Sequence, residues 1–451
     1  MTFLKIIIGL AELGIVVFIH ELGHFLAARF SGIDVEAFSV GWGKPLLKKK
    51  IGNVEYRLGM LPIGGYCKMK GENGYGEAWE NSKNGKAPDA SSFYGAHPAK
   101  RVLTAFAGPF FNFLFAVVVL SIIWGAGVDV KTLENRIVVL ADIDGKSYPS
   151  DRAGLVSGDR IIEIAGTPIG NYGELRENIG LNPGKALAVK VDRDGAILDL
   201  TVTPDLEKSG EGKIGVYYWT TPVVSAVAPE SPAEKAGLKA GDRILSMNGS
   251  PLPYTVAVLR IFRDAQPERF SVEYERGGEL FSAELSGVSY VSGAPETGIE
   301  YPFIAYRTPS LSPPAALAAG IKESVKTFAV SVKSLALLFR GVDLTQAVSG
   351  PARITYMVGE VAAQGFGENL RTGLSSAGSF LALISIALCF MNLLPLPILD
   401  GGLIVLSVVE GIKGGPLNPK FVSIFQTAGV VIIFGLMVFS LFNDILFFAS
   451  R

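Results

Sequence analysis

His20-Glu21-Leu22-Gly23-His24 sits inside an apolar run from Phe3 to about Phe30. About twenty apolar residues suffice to cross the roughly 30 Å of bilayer hydrocarbon, so this run reads as a membrane-spanning helix that carries an HExxH motif. On a helix, residues four apart share a face. His20 and His24 can therefore present imidazole nitrogens to one metal ion while Glu21 lies close enough to reach an attacking water. Zinc suits imidazole and needs no redox change. The sequence has 3 histidines, and two of them stand here, at a depth where ionisable groups are costly and mark function. The third, His97, precedes Pro98 and reads as a surface residue. Glu12 interrupts the same run and faces either the bundle or the interface. A secretory signal peptide has a shorter apolar core and a small-residue cleavage site, so the segment is expected to remain in the mature protein.

Working outward, three further stretches are long, apolar and free of charge: Val102–Val128, Thr372–Leu399 and Phe421–Asn443. Four spans make the chain a polytopic α-helical membrane protein. Its composition agrees, since 49% of the 451 residues are hydrophobic and only 18% charged, with a mean hydropathy of +0.37, too apolar for a soluble enzyme. The balance of 41 basic against 42 acidic residues leaves no basic field for nucleic acid, which is excluded as a partner. Cys67 and Cys389 form no CxxC pair, which argues against redox chemistry. Between the first two spans (residues 31–101) stand Lys44, Lys48, Lys49, Lys50, Arg57, Lys68, Lys70, Lys83, Lys86, Lys100 and Arg101. The short connection after the third span carries Lys413 and Lys420. Basic loops stay in the cytoplasm, so the stretch from about Asp129 to Arg371 is expected outside.

That external stretch is duplicated. Asp151-Arg-Ala-Gly-Leu-Val-Ser-Gly-Asp-Arg-Ile-Ile162 recurs as Glu234-Lys-Ala-Gly-Leu-Lys-Ala-Gly-Asp-Arg-Ile-Leu245, and Ala165-Gly-Thr-Pro-Ile169 as Asn248-Gly-Ser-Pro-Leu252. Arg193 and Gly195 meet Arg276 and Gly278 at the same offset. In each copy a short helix ends at glycine, a Gly-Asp turn follows, then an apolar strand and a Gly-Ser/Thr-Pro turn. The pattern resembles PDZ domains of the bacterial protease type, predicted over residues 133–206 and 213–300. PDZ folds add a peptide strand to a sheet edge. The candidate loops for a peptide C-terminus are Ile214-Gly215-Val216 and Thr297-Gly298-Ile299. Leu311–Phe339 then alternates Lys322, Lys326 and Lys333 with apolar positions at helical spacing, which predicts a helix lying on the outer leaflet, with a linker to residue 371.

A catalytic zinc takes three protein ligands and keeps one position open. No further histidine is available in a span. Asp400 is the candidate, in Asn392-Leu-Leu-Pro395-Leu-Pro397-Ile-Leu-Asp400-Gly401-Gly402, where prolines break a helix at membrane depth and are tolerated only inside protein or beside a cavity.

HExxH in the first span, a distant NxxPxPxLDGG and two PDZ-like modules between spans two and three together resemble the site-2 intramembrane metalloproteases of the bacterial sigma-E-regulating type. The resemblance covers essentially the whole chain. It implies one zinc per chain bound by His20, His24 and Asp400, with Glu21 as catalytic base. It also implies that Asn392, with Pro395 and Pro397, handles the substrate backbone. Gly108-Pro109-Phe-Phe-Asn112 matches the family's GPxxN element, which adds Asn112 to the expected substrate contacts. Val35 to Tyr66, with Gly41-Trp42-Gly43, fits the family's membrane-embedded β-hairpin, which adds Gly41 and Gly43. The implied substrates are single-pass membrane proteins already trimmed by another protease, such as anti-sigma factors and remnant signal peptides, in the bacterial cytoplasmic membrane.

Two other readings fit parts of the sequence. In a metal-ion transporter the same four side chains would hold an ion in transit, but repeats among the spans are not found and a peptide-binding module has no use there. A PDZ-bearing scaffold would carry HExxH incidentally.

Overall fold

The structure, a computed structural model, describes residues 2–72, 74–84, 89–207, 210–291, 293–338 and 350–449. Lys86 and Phe339 lie outside these residues. The chain falls into two units, one holding the long helices and a bent hairpin, the other running Asp129–Arg307.

In the first unit, α1 (Thr2–Ser31) carries the HExxH motif. Gly32, with φ 74°, ends it, and the N–H of Ile33 returns to the Ala28 carbonyl at 2.8 Å. Strands β1 (Val35–Ile51) and β2 (Val54–Met69) follow as an antiparallel hairpin. Both are bent. Leu47–Ile51 pairs with Val54–Leu58, while Ala37–Val40 pairs with Glu55–Leu58 on one side and Gly65–Lys68 on the other. The bend in β1 falls at Gly41 and Gly43, whose φ values of 84° and 91° disfavour any side chain. Phe25, Ala28, Phe38, Cys67, Met69 and Phe93 form the core that binds the hairpin to α1.

Helix α2 (Tyr75–Lys83) leads to α3 (Pro98–Ala126), where His97 acts as N-cap and accepts from the Ala99 N–H at 3.2 Å. Further described helices of this unit are α4 (Pro313–Leu338), α5 (Pro351–Glu368), α6 (Leu370–Leu393), α7 (Asp400–Lys413) and α8 (Pro419–Ala449). Among the described residues four helices are long and apolar enough to cross a membrane: Gly9–Ser31, Pro98–Ala126, Leu370–Leu393 and Pro419–Leu446. Large apolar side chains along α8, among them Ile424, Val431 and Phe434, are exposed, as a lipid-facing helix requires. Glu12 is buried and so faces the bundle.

Two expectations are corrected here. The third span does not continue to Leu399. It stops at Leu393, because Pro395 and Pro397 cannot donate backbone hydrogen bonds, and Asp400 instead opens a separate helix, α7. Nor does α4 lie apart on a surface. Ala316 sits by Gly125, Gly320 by Ser121 and Val117, and Phe328 by Phe113, so α4 runs antiparallel alongside the second span. Glycine and alanine at these positions let the two helices approach closely.

The second unit contains the duplication in three dimensions. One four-stranded sheet has the order Thr167–Pro168, Arg160–Ile164, Leu187–Arg193, Ala196–Val202. The other has the same order: Ser250–Pro251, Arg243–Met247, Arg269–Arg276, Glu279–Ser286. Arg193 grips the buried Asp159 at 2.7 and 2.8 Å and the Gly154 carbonyl at 2.8 Å. Arg276 repeats this with Asp242 at 2.6 and 2.7 Å and Gly237 at 2.9 Å. These bidentate forks explain the repeated Gly-Asp and Arg-x-Gly signals. The boundary between copies differs from the expected residues 206 and 213. Val216–Tyr218 pairs with Ile137–Val139, and Ile214 is buried in the first core, so the first copy closes through Tyr218. Ile299–Glu300 pairs with Ala226–Val227 in the second copy. A groove of about 590 Å³ runs between Ile214–Tyr218 and the helix Tyr172–Gly180, with Tyr148, Leu175 and Ile179 among its walls.

Candidate metal centre

The i, i+4 spacing of α1 sets the two imidazoles side by side, with their Nε2 atoms 3.1 Å apart. Helix α7 brings the third group from nearly four hundred residues away. Asp400 Oδ2 lies 3.2 Å from His20 Nε2, and Oδ1 lies 3.4 Å from His24 Nε2. Among the described residues these three form a group able to hold a metal ion. They are largely buried.

The donor set fits zinc on its dimensions. Tetrahedral zinc with nitrogen or oxygen ligands at about 2.0–2.1 Å requires donors roughly 3.3 Å apart. The outer nitrogens agree. His24 Nδ1 donates to the Thr104 carbonyl at 2.8 Å, which puts the proton on Nδ1 and leaves the Nε2 lone pair free. His20 Nδ1 faces the side-chain amide of Asn112 at 3.3 Å. With His20 ligating through Nε2, its Nδ1 carries the proton, so the Asn112 oxygen must be the atom turned toward it. The same assignment supplies a donor to Asn112 Oδ1, which is otherwise buried without one. Asp400 Oδ2 is also buried without a hydrogen-bond donor, as suits a ligand atom.

Backbone geometry explains how three elements converge. A Cβ on Gly108 would stand 2.3 Å from His24 Nε2, and one on Gly23 would stand 2.4 Å from the Ala107 carbonyl. Glycine at both positions lets α3 close on α1. On the other side, the chain from Leu394 to Leu399 folds over the start of α7. Cβ atoms at Gly401 and Gly402 would strike the Leu394 and Leu396 carbonyls at 2.2 and 2.3 Å. Ile398 holds φ 82°, a costly conformation for a β-branched residue, two positions before Asp400. Asp400 itself lies in the first turn of α7, where the helix dipole favours a carboxylate.

Glu21 projects toward the hairpin. A Cβ on Gly65 would meet its Cγ at 3.4 Å, so β2 passes directly beside it. Asn392 is the next-to-last residue of α6, and Pro395 and Pro397 lie in the connection to α7, where Gly429 of α8 packs closely on Pro397. Gly41 and Gly43 form the bend of β1. Asn112, expected among the substrate contacts, lies on His20. Ile214, Gly215 and Val216 line the groove of the first copy, and Gly298 and Ile299 hold the equivalent places in the second. Thr104, Gly108 and Ser385, whose hydroxyl donates to the Asn112 carbonyl at 2.9 Å, were not singled out as site residues. In the structure Gly23 faces the backbone of Ala107 and Gly108, the close helix approach that small residues permit.

Comparison with known proteins gives the family of the chain. Residues 8–436 match the model of peptidase family M50. A Treponema pallidum relative, provisionally named a zinc metalloprotease, is 38% identical over 446 residues, covering 98% of this chain and 99% of that one. The regulator of sigma E protease of Haemophilus influenzae is 32% identical over 452 residues, covering 96% and 97%. The regulator of sigma-E protease RseP of Escherichia coli is 29% identical over 466 residues, again covering 96% and 97%. With the family model spanning nearly all of the chain, and four membrane-length apolar helices among the described residues, this membrane protein belongs to the M50 metallopeptidases.

Proposed function

We propose that this chain is a zinc-dependent endopeptidase that cuts transmembrane segments of single-pass membrane proteins, with one zinc per chain held by His20, His24 and Asp400. The convergence of their donor atoms at 3.1–3.4 Å carries the reading. Bound there, zinc would supply Lewis acidity to polarise the scissile carbonyl and activate water. The chain's own groups do the rest. Thr104 and Asn112 hold the imidazoles with Nε2 free. Glu21, next to His20 in sequence and beside β2 in space, takes the proton of the attacking water and delivers it to the leaving amine nitrogen.

A helical substrate buries its carbonyls in its own hydrogen bonds and must be extended before attack. The edge of β2 near Gly65 is placed to pair with such an extended segment, since it already runs along Glu21. Gly41 and Gly43 shape that hairpin. Asn392 at the end of α6, with Pro395 and Pro397 in the non-helical connection that follows it, is read as the further contact to the substrate backbone. The duplicated unit is read as two external PDZ domains. The groove of about 590 Å³ beside Ile214, Gly215 and Val216 supports this, being suited to a peptide C-terminus, as are Gly298 and Ile299 by repetition. Substrates trimmed by a preceding protease, including anti-sigma factors and remnant signal peptides, would present such ends. Bacterial relatives support placement in the cytoplasmic membrane.

The test is Glu21→Gln in the purified full-length chain. Cleavage of a trimmed single-pass substrate should vanish while zinc stays near one per chain. Retained cleavage refutes the mechanism, and a scaffold would be indifferent to the substitution.

A further inference from the structure

Well away from the histidines, α3 and α7 meet a second time. Arg101 Nη1 contacts Glu410 Oε2 at 2.6 Å, and the two side chains are only 6% and 4% exposed. The other oxygen of Glu410 accepts from the hydroxyl of Tyr75 and, at 3.1 Å, from the Leu417 N–H. The Tyr75 oxygen is also 2.8 Å from that N–H and 3.0 Å from the Leu417 carbonyl. Burial first, then the Glu410 carboxylate, pushes the Tyr75 phenol well above its ordinary range, so it stays a donor. The Glu410 carbonyl accepts from Gly414 and Gly415 at 3.0 and 3.2 Å as α7 ends. The cluster therefore pins the far end of α7.

We propose that Arg101 and Glu410, completed by Tyr75, are positioning residues for the metal centre: they fix where α7 lies along α3, and so hold Asp400 within reach of His20 and His24. Glu410 lies ten residues after Asp400, about 15 Å along a helix rising 1.5 Å per residue. Arg101 lies three residues before Thr104, whose carbonyl orients His24, and seven before Gly108, which the histidines touch. One pair of helices is thus joined at two levels, by ligands at one and by an ion pair at the other. The stretch Leu394–Leu399 that leads into Asp400 is non-helical and holds the strained Ile398, so a slide or twist of α7 at Glu410 is passed on to the carboxylate. A buried ion pair adds little net stability over apolar side chains of similar size, and fixing registry is its best-attested use.

This inference rests on Asp400 being a ligand, and the test separates the two. Full-length protein in nanodiscs is compared as parent, Arg101→Met/Glu410→Met, Arg101→Lys, Tyr75→Phe and Asp400→Ala. The readouts are zinc per chain after dialysis against graded chelator, thermal unfolding, and kcat and KM on a trimmed substrate. The double variant should unfold near the parent's temperature, release zinc at about 10–100-fold lower chelator concentration, and lose kcat with KM little changed. Arg101→Lys, which keeps the charge, should fall between. Zinc retention equal to the parent's in the double variant overturns the proposal. Should that variant fail to fold, Tyr75→Phe decides: severalfold weaker retention supports the clasp and parental retention overturns it. Zinc retained by Asp400→Ala instead sinks the ligand assignment itself.

Discussion

A Cβ on Gly108 would lie 2.3 Å from Nε2 of His24, so α3 meets the metal-binding face of α1 with bare backbone. Nothing larger than hydrogen fits without moving the imidazole. Gly108→Ala should lower zinc affinity and cleavage by about 10–100-fold, the range typical for disturbed ligand orientation. Gly125→Ala in the same helix is the control, because its Cβ would make an ordinary contact of 3.5 Å with Ala316. Metal content by mass spectrometry of the two purified variants checks the difference.

The amide of Asn112 faces His20 with its oxygen if the ring binds metal through Nε2. Asn112→Leu removes that acceptor and should weaken zinc by about 10–100-fold. Asn112→Asp keeps an acceptor in the same place and should stay near the parent. Chelator competition on both variants distinguishes an orienting role from a substrate contact, which would change KM and leave metal affinity alone.

Burial by itself would raise the Asp242 carboxyl, but the Arg276 fork and the Lys239 N–H outweigh it and hold the group below its ordinary range. A carboxyl lowered in the folded state contributes stability above the unfolded value, near pH 4, and loses it as pH falls through the lowered folded value. Arg276→Gln should therefore shift acid opening of the second copy to higher pH. At neutral pH, exchange of the amides in Arg243–Met247 should quicken by about tenfold or more. Hydrogen exchange on the intact chain across pH 3–7 is the measurement.

Asp444 of α8 accepts the N–H groups of Gly350, Ala352 and Arg353 at 2.9, 2.9 and 3.3 Å, so one helix caps another. Gly350 is required, since a Cβ there would stand 2.3 Å from the Asp444 carboxylate. Asp444→Ala removes the acceptor that these N–H groups share, Gly350's being buried, and should cost about 1–3 kcal/mol locally. Exchange of the first-turn amides of α5 should rise by about ten- to a hundredfold, with Asp444→Asn intermediate.

The sequence by itself determined what depends on local pattern. Apolar runs long enough for the bilayer gave the spans, and helical periodicity put His20 and His24 on one face. The repeat of Gly-Asp-Arg-Ile announced two copies because each copy needs the same buried carboxylate at the same turn. The tertiary structure decided what depends on distant segments meeting. Asp400 was legible as a ligand candidate but looked like the end of a span; prolines stop α6 at Leu393, and a fresh helix α7 brings its carboxylate to the two imidazoles. Thr104 acts through a carbonyl, which carries no residue signature. That Asn112 stands against His20 follows only from the packing of α3 on α1. The closing strand Val216–Tyr218 joined the first copy, and α4 lined up on α3, because pairing and packing follow shape and register between elements, which order along the chain does not encode.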